Sequence, residues 1–182
     1  MGLFPLMALQ RLTPVHAAAY RALMLEAYAL HPDAFTSSVA ERAEQPLVWW
    51  TERVSEDERA SDVVFGAFGG EGLLGVAGLS FETREKVRHK STLFGMYVPM
   101  CYRHNGLGRR LVLAALDYAR TRSEVEIVQL TVTEGNTPAQ RLYESCGFMP
   151  FGTEPLAVRV GATYVSKVHM WCNLYSAASV ER

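Results

Sequence analysis

Cysteine is scarce in this 182-residue chain. Cys101, Cys146 and Cys172 are an odd number with no Cys-x-x-Cys spacing, which argues against a disulfide framework and a zinc site, and they read as reduced thiols. The five histidines (16, 31, 89, 104 and 169) form no His-Glu-x-x-His pair or other ligand cluster, so no metal is expected. Large net charge is also missing. At −1 the chain is not a globally basic nucleic-acid binder. No run approaches the ~18 apolar residues that cross a bilayer. The apolar start Met1 to Leu9 lacks the basic flank and cleavage site of a signal peptide, and Leu6 stands where a myristoylation signal needs Ser or Thr. The expectation is a cytoplasmic protein without membrane or nucleic-acid partners. Repeats, low-complexity runs and linkers are absent too, so residues 1–182 are read as one domain.

What is present is the balance of a globular core, 49% hydrophobic and 20% charged. A chain of this size buries roughly two-thirds of the surface it exposes when unfolded, enough to need no staple. Its charge is uneven. Between Glu26 and Arg59 stand eight acidic residues (26, 33, 41, 44, 52, 56, 57 and 58) against three arginines; between Phe81 and Arg122 stand nine basic residues against three acidic ones. Solvated helix faces explain either stretch alone. Together they suggest a molecule with one region for an anion and another that draws a cation.

Hydrophobic period and turn residues give the order of elements. Thr13-Pro14 opens a helix that His31-Pro32-Asp33 stops, and a second helix runs from about Pro46 to Val54. Strands follow at Val63–Phe68 and Leu73–Phe81, joined by Gly69-Gly70-Glu71-Gly72, and a third at Ser91–Val98. Apolar residues at 107, 111, 112, 114, 115, 118 and 119 then switch to helical spacing. Glu126–Thr133 is a strand, Asn136-Thr137-Pro138 opens a short helix ended by Gly147, and Phe148–Gly152 and Thr163–Trp171 close the chain. This order implies an α/β (α+β) fold, a mixed sheet with helices on both faces.

The segment most informative about chemistry is Arg103-His104-Asn105-Gly106-Leu107-Gly108-Arg109-Arg110, between a strand and a helix. Glycines let the backbone approach a ligand, and free N–H groups at a helix start favour an anion. A tight turn that needs glycine for shape alone is the plainer alternative. A dinucleotide fingerprint fails because Leu111 stands at its last glycine, and no Gly-x-x-x-x-Gly-Lys-Ser/Thr string exists.

Arg-x-x-Gly-x-Gly at Arg103, Gly106 and Gly108 is joined downstream by Asn136, Ala139, Leu142, Tyr143, Gly147 and Phe148, spaced Asn-x-x-Ala-x-x-Leu-Tyr-x-x-x-Gly-Phe. In these two motifs, about residues 91 to 151, the sequence resembles the GNAT superfamily of acyl-CoA-dependent N-acyltransferases. His104 and Asn105 depart from the Arg, Gly or Lys frequent there. The resemblance implies a mixed, mostly antiparallel central sheet with helices on both faces, and acetyl-CoA as co-substrate without a metal. It implies that Met96, Tyr97 and Val98 bind the pantetheine arm like an added strand. The loop Arg103, His104, Asn105, Gly106, Leu107, Gly108 and Arg109 would hold the diphosphate, Asn136 would touch the arm, and Tyr143 would face the sulfur.

Such chemistry needs a proton acceptor for the attacking ammonium, and Glu82, then His89, are the candidates by position; either also fits a solvated strand end. Tyr143 would serve the leaving thiolate, though its spacing also suits a core aromatic. Acceptor binding is assigned to His31, Asp33 and Phe35 in the helix connection and to Trp49, because Trp49 and Trp50 cannot both face inward. The expected reaction is acetyl transfer to a small-molecule primary amine through a ternary complex. A protein N-terminal or lysine acetyltransferase and a non-catalytic acyl-CoA sensor are the alternatives, and a homodimer is left open. The backbone N–H of Val98 or a neighbour is the expected donor to the thioester carbonyl.

Overall fold

A computed structural model describes residues 8–175. Residues 1–7, with the start at Gly2 and all but Ala8 and Leu9 of the apolar stretch Met1–Leu9, lie outside them. The elements are β1 (Ala8–Arg11), α1 (Ala17–Leu30), α2 (Val39–Ala43), α3 (Leu47–Arg53), β2 (Asp62–Gly69), β3 (Gly72–Phe81), β4 (Lys90–Tyr97), α4 (Leu107–Thr121), β5 (Ile127–Thr133), α5 (Thr137–Ser145), β6 (Met149–Val160) and β7 (Thr163–Asn173). Single 3₁₀ turns stand at Pro14–His16 and Met100–Tyr102. No helix among the described residues is long and apolar enough to cross a membrane.

The seven strands form one sheet in the order β1-β2-β3-β4-β5-β7-β6. Every neighbouring pair is antiparallel except β4 and β5. The strands of β2 and β3 are buried along nearly their whole length, as helices covering both faces require. On one face α4 presents Leu107, Leu111, Val112, Ala115, Leu116 and Ala119, a helical stripe packed with Val98, Val128, Tyr143 and Phe148. Each such leucine contributes about 1.5–3 kcal/mol through burial. On the other face α1 and α3 bury Tyr20, Met24, Ala27, Trp50 and Val54 against Val64, Val76 and Tyr97. The sheet thus separates two cores.

Two irregularities shape what lies between them. Pairing of β4 with β5 is confined to Lys90–Thr92 against Ile127–Gln129; beyond it the strands diverge. The remaining residues of β4 have no strand partner on that side. Second, Val76 pairs with Tyr97 but Gly78 with Phe94, so three steps of β4 oppose two of β3. This bulge contains Gly95, at φ +59°, and turns the end of β4 away from the regular ladder.

The expected helices and strands are present, with differences of extent. The first helix is a 3₁₀ turn followed by α1, and β6 and β7 extend beyond the predicted strands as one long hairpin. Two elements were not anticipated: β1, a four-residue edge strand, and α2, a single capped turn.

Candidate active site

The diverging strands open where α4 begins. Val98 leads through the 3₁₀ turn into the loop 103–106, and within it His104 (φ +67°) and Gly106 (φ +75°) both adopt the left-handed conformation. Alternating left-handed residues turn successive N–H groups to one side, a concavity suited to an anion. The start of fifteen-residue α4 adds its unpaired amides and dipole. A Cβ built on Gly106 meets nothing within 4 Å, so the cradle is open at this point. Arg109 and Arg110 are exposed in the first turn of α4. With its amide oriented to donate, Asn105 bonds the carbonyls of Tyr102 and Arg103, both at 2.8 Å, and braces the loop from inside. The Tyr102 hydroxyl donates to Glu71 in the β2–β3 turn.

Arg103 does not point into this concavity. Its Nε donates to the Val98 carbonyl at 2.7 Å and its Nη2 lies 3.2 Å from His31 Nε2. The side chain therefore fixes the end of β4 and ties it to the turn after α1, while its backbone belongs to the loop.

Gly108 has a different role from Gly106. A Cβ there would stand 2.8 Å from Met96 Cε and 3.2 Å from Leu142 Cδ2, so its small size lets α4 close on β4 and α5. That contact brings the second turn of α5 to the cradle. Asn136 caps α5, its side chain accepting from the Ala139 amide at 3.3 Å. Tyr143 is 8% exposed, edge-on to Phe148 at 5.9 Å, and no described residue hydrogen-bonds its hydroxyl. Burial pushes its pKa up to about 12, with the Cys146 thiol beside it adding to the rise. The phenol stays protonated at neutral pH.

The two base candidates lie where β4 meets β5. The Glu82 amide donates to the Lys90 carbonyl at 3.4 Å, and the His89 carbonyl accepts from Glu126 and Ile127, where β4 and β5 are still joined. From Lys90, the residue beside both, seven steps of β4 lead to Tyr97, roughly 23 Å of strand. Glu82 is exposed and paired with Arg84 at 3.3 Å, a surface ion pair. Both lie at the joined end of the strands; the opening is at the other.

On the α1 face of the sheet Glu26 accepts from the Tyr97 hydroxyl, near the end of β4, at 2.8 Å. Burial and this partner push the Tyr97 pKa up to about 12. The His31 ring lies 5.8 Å from that of Tyr97. Phe35 and Trp49 are set elsewhere on the same face, in a cleft with Tyr28, Phe94, Arg42 and Arg53. Trp50 is buried and Trp49 half-buried, as two adjacent helical positions require. The acidic surplus of residues 26–59 does not face this cleft: Glu41 caps α2, Asp57 caps a turn, and the stretch's charged side chains lining the cleft are Arg42 and Arg53.

The turn 31–36 is anchored by Lys167 of β7. Its Nζ donates to the carbonyls of Asp33 (2.9 Å) and Ala34 (3.0 Å) and to Thr133 Oγ1 (2.8 Å), which itself donates to the Asp33 carbonyl at 2.8 Å. Lys167 is 3% exposed and desolvation lowers its pKa, with Asp33 opposing. Glu26, Arg42, Arg53, Phe94 and Lys167 escaped sequence reading because each becomes significant only through partners on other elements. The described residues contain no group of histidine, cysteine and carboxylate side chains able to hold a metal.

The seam, joined at Lys90–Thr92, thus opens beside a bulged strand toward an anion cradle at the start of α4. The chain belongs to the acetyltransferase (GNAT) family, whose model matches residues 24–148. Among solved structures, a GNAT-family acetyltransferase from Streptococcus pneumoniae superposes with a TM-score of 0.77 over 92% of this chain and 99% of that one, at 22% identity. The protein yncA from Salmonella typhimurium, solved with its cofactor acetyl-CoA, does so with a TM-score of 0.76 over 96% and 98%, at 20% identity. At these identities the likeness is one of fold. A mycothiol acetyltransferase from Acidothermus cellulolyticus is 48% identical over 56 residues, 31% of this chain but only 17% of that protein.

Proposed function

We propose that this GNAT acetyltransferase transfers acetyl from acetyl-CoA directly to the amine of a small molecule, within a ternary complex. Acetyl-CoA supplies the acetyl group already activated as a thioester. The seam carries this reading: β4 beyond Thr92 lacks a strand partner toward β5, and unpaired backbone groups at Met96 and Tyr97 suit the amides of a pantetheine arm, as in strand addition. The Val98 carbonyl is already satisfied by Arg103, so Val98 contributes through its N–H, the donor we assign to the thioester carbonyl. The amides of the loop 103–108 and the dipole of α4 hold the diphosphate, and Asn136 borders the arm from the start of α5.

Glu26 accepts the amine's proton, directly or through one water, in place of Glu82 and His89. It lies on the acceptor face and is held by Tyr97. Tyr143 donates a hydrogen bond to the departing sulfur. It keeps its proton: transfer from a phenol near 12 to a thiolate of reference pKa about 8.5 is uphill by roughly 5 kcal/mol. We place the reaction in the cytoplasm. No covalent acyl-enzyme is needed; Cys146 and Cys172 are buried, and Cys101 is exposed in the 3₁₀ turn.

The test is an amine panel followed by thiol release from acetyl-CoA. Turnover is expected on at least one small amine, with Glu26→Gln reducing kcat and leaving the Kd for acetyl-CoA unchanged. Tight acetyl-CoA binding with no amine turned over would favour a sensor instead.

A further inference from the structure

The cleft lies between α1, α2, α3, the end of β3 and the middle of β4, with a volume of about 400 Å³. Tyr28, Phe35, Trp49 and Phe94 form its apolar walls. Phe94 reaches there because Gly78 offers no Cβ beneath it; one would stand 2.6 Å from the ring.

Its charged groups are two guanidiniums and one carboxylate. Arg53 is paired with Asp62 at 3.0 Å. Arg42 has no carboxylate partner among the described residues; its Nη2 donates to Ser37 Oγ at 2.6 Å. Both guanidiniums stack on Trp49, their central carbons 4.7 and 4.2 Å from the ring centroid, and so lie less than about 9 Å apart. One carboxylate offsets one of these charges, and a positive charge is left over in a half-enclosed, aromatic space, where it is screened less than in water. Two donors in the wall are buried without an acceptor, Arg42 Nε and Trp50 Nε1, and Trp50 is only 1% exposed. Buried donors normally find acceptors. A ligand that brings a carboxylate would offset the surplus charge.

We infer that the acceptor is an amine that also bears a carboxylate, bound by Arg42 with its apolar body between Tyr28, Phe35 and Phe94. This rests on the acetyl-transfer reading, because Gly95 belongs to the cleft lining and stands two residues, roughly 7 Å, before Tyr97. A molecule seated in the cleft has its free end at the opening of β4. A guanidinium matches a carboxylate in shape as well as charge, and the aromatic walls select an organic body over a hydrated inorganic ion. A polyamine would instead bring further positive charge against two guanidiniums.

Calorimetry on the coenzyme A complex tests this without turnover. Phenylacetate and 2-phenylethanol share a ring and differ in charge. Phenylacetate is expected to bind at least tenfold more tightly, with Arg42→Gln abolishing the preference, Arg42→Lys retaining part of it, and coenzyme A affinity unchanged in both. Equal binding of the two probes, failure of phenylacetate to bind, or a preference that survives in Arg42→Gln overturns the inference. The two readings fail separately. Amines acetylated with no advantage for those carrying a carboxylate would leave the transferase standing and remove this specificity; phenylacetate held by Arg42 with no amine acetylated would do the reverse.

Discussion

Two glycines one residue apart do unlike work at the start of α4. Gly106 supplies a left-handed backbone beside open space, whereas Gly108 supplies absence of bulk between Met96 and Leu142. Replacing Gly106 by valine should therefore weaken acetyl-CoA binding at least tenfold, read by calorimetry, with the thermal midpoint falling only by the strain of one left-handed residue, about 1–2 kcal/mol. Valine at Gly108 should lower binding and stability together, by about 1–3 kcal/mol, because it forces a packed helix outward. Unchanged acetyl-CoA affinity in the Gly106 variant would refute this division. Tyr143→Phe should reduce kcat by about ten- to a hundredfold, the worth of one hydrogen bond to a charged group, while acetyl-CoA affinity holds; steady-state kinetics beside calorimetry would show it.

Among elements, the turn after α1 depends on a side chain from the far half of the sheet. Lys167→Met would strip the Asp33 and Ala34 carbonyls and Thr133 Oγ1 of their shared donor. The expected result is a loss of about 1–3 kcal/mol by urea unfolding and a KM for the acceptor that rises more than that for acetyl-CoA. A variant altering both KM values equally would argue against an acceptor-side role. Element legibility followed length and periodicity. α4 was readable because a 3.6-residue apolar stripe follows Gly106-x-Gly108, and α5 because Asn136 and Pro138 open it. β1 is four residues at an edge, too short for alternation to register. The Ser38-x-x-Glu41 capping box of α2 was in plain sight, but no apolar run follows it. Glu82 and His89 follow from order along the chain alone, which carries no strand direction: both neighbour β4 at the end where it is joined to β5. Arg42, Phe94 and Glu26 come from α2, β4 and α1, and no local spacing links them.

For the whole molecule, alkaline pH is the informative stress. Tyr143 is raised to about 12 and Tyr20, fully enclosed by α1 and α3, is raised as well, both chiefly by burial. In the unfolded chain these phenols ionise near 10, so the unfolded state releases protons first. Their contribution is complete below pH 10 and is lost as pH climbs toward 12, about 2–3 kcal/mol for Tyr143 alone. Lys167 acts with the opposite sign: its lowered pKa makes the folded state gain on the unfolded one up to its ordinary 10.5. Two phenols outweigh one amine, so the urea midpoint should fall above pH 10, and Tyr143→Phe should flatten the fall. A midpoint that rises through this range would contradict the assignment.

The three-residue join of β4 to β5 also carries a mechanical meaning. It makes the sheet two blades, β1 to β4 and β5 with β7 and β6, riveted at their base and free at their tips. Whatever fills the gap works as a wedge that stiffens both. Those amide protons of β4 after Thr92 that face β5 rather than β3 should accordingly exchange quickly in the empty protein and slowly with coenzyme A, and the cleft walled by the same strand should take firm shape only second. A compulsory order of binding, thioester before acceptor, is then the outcome to expect from how the blades are fastened.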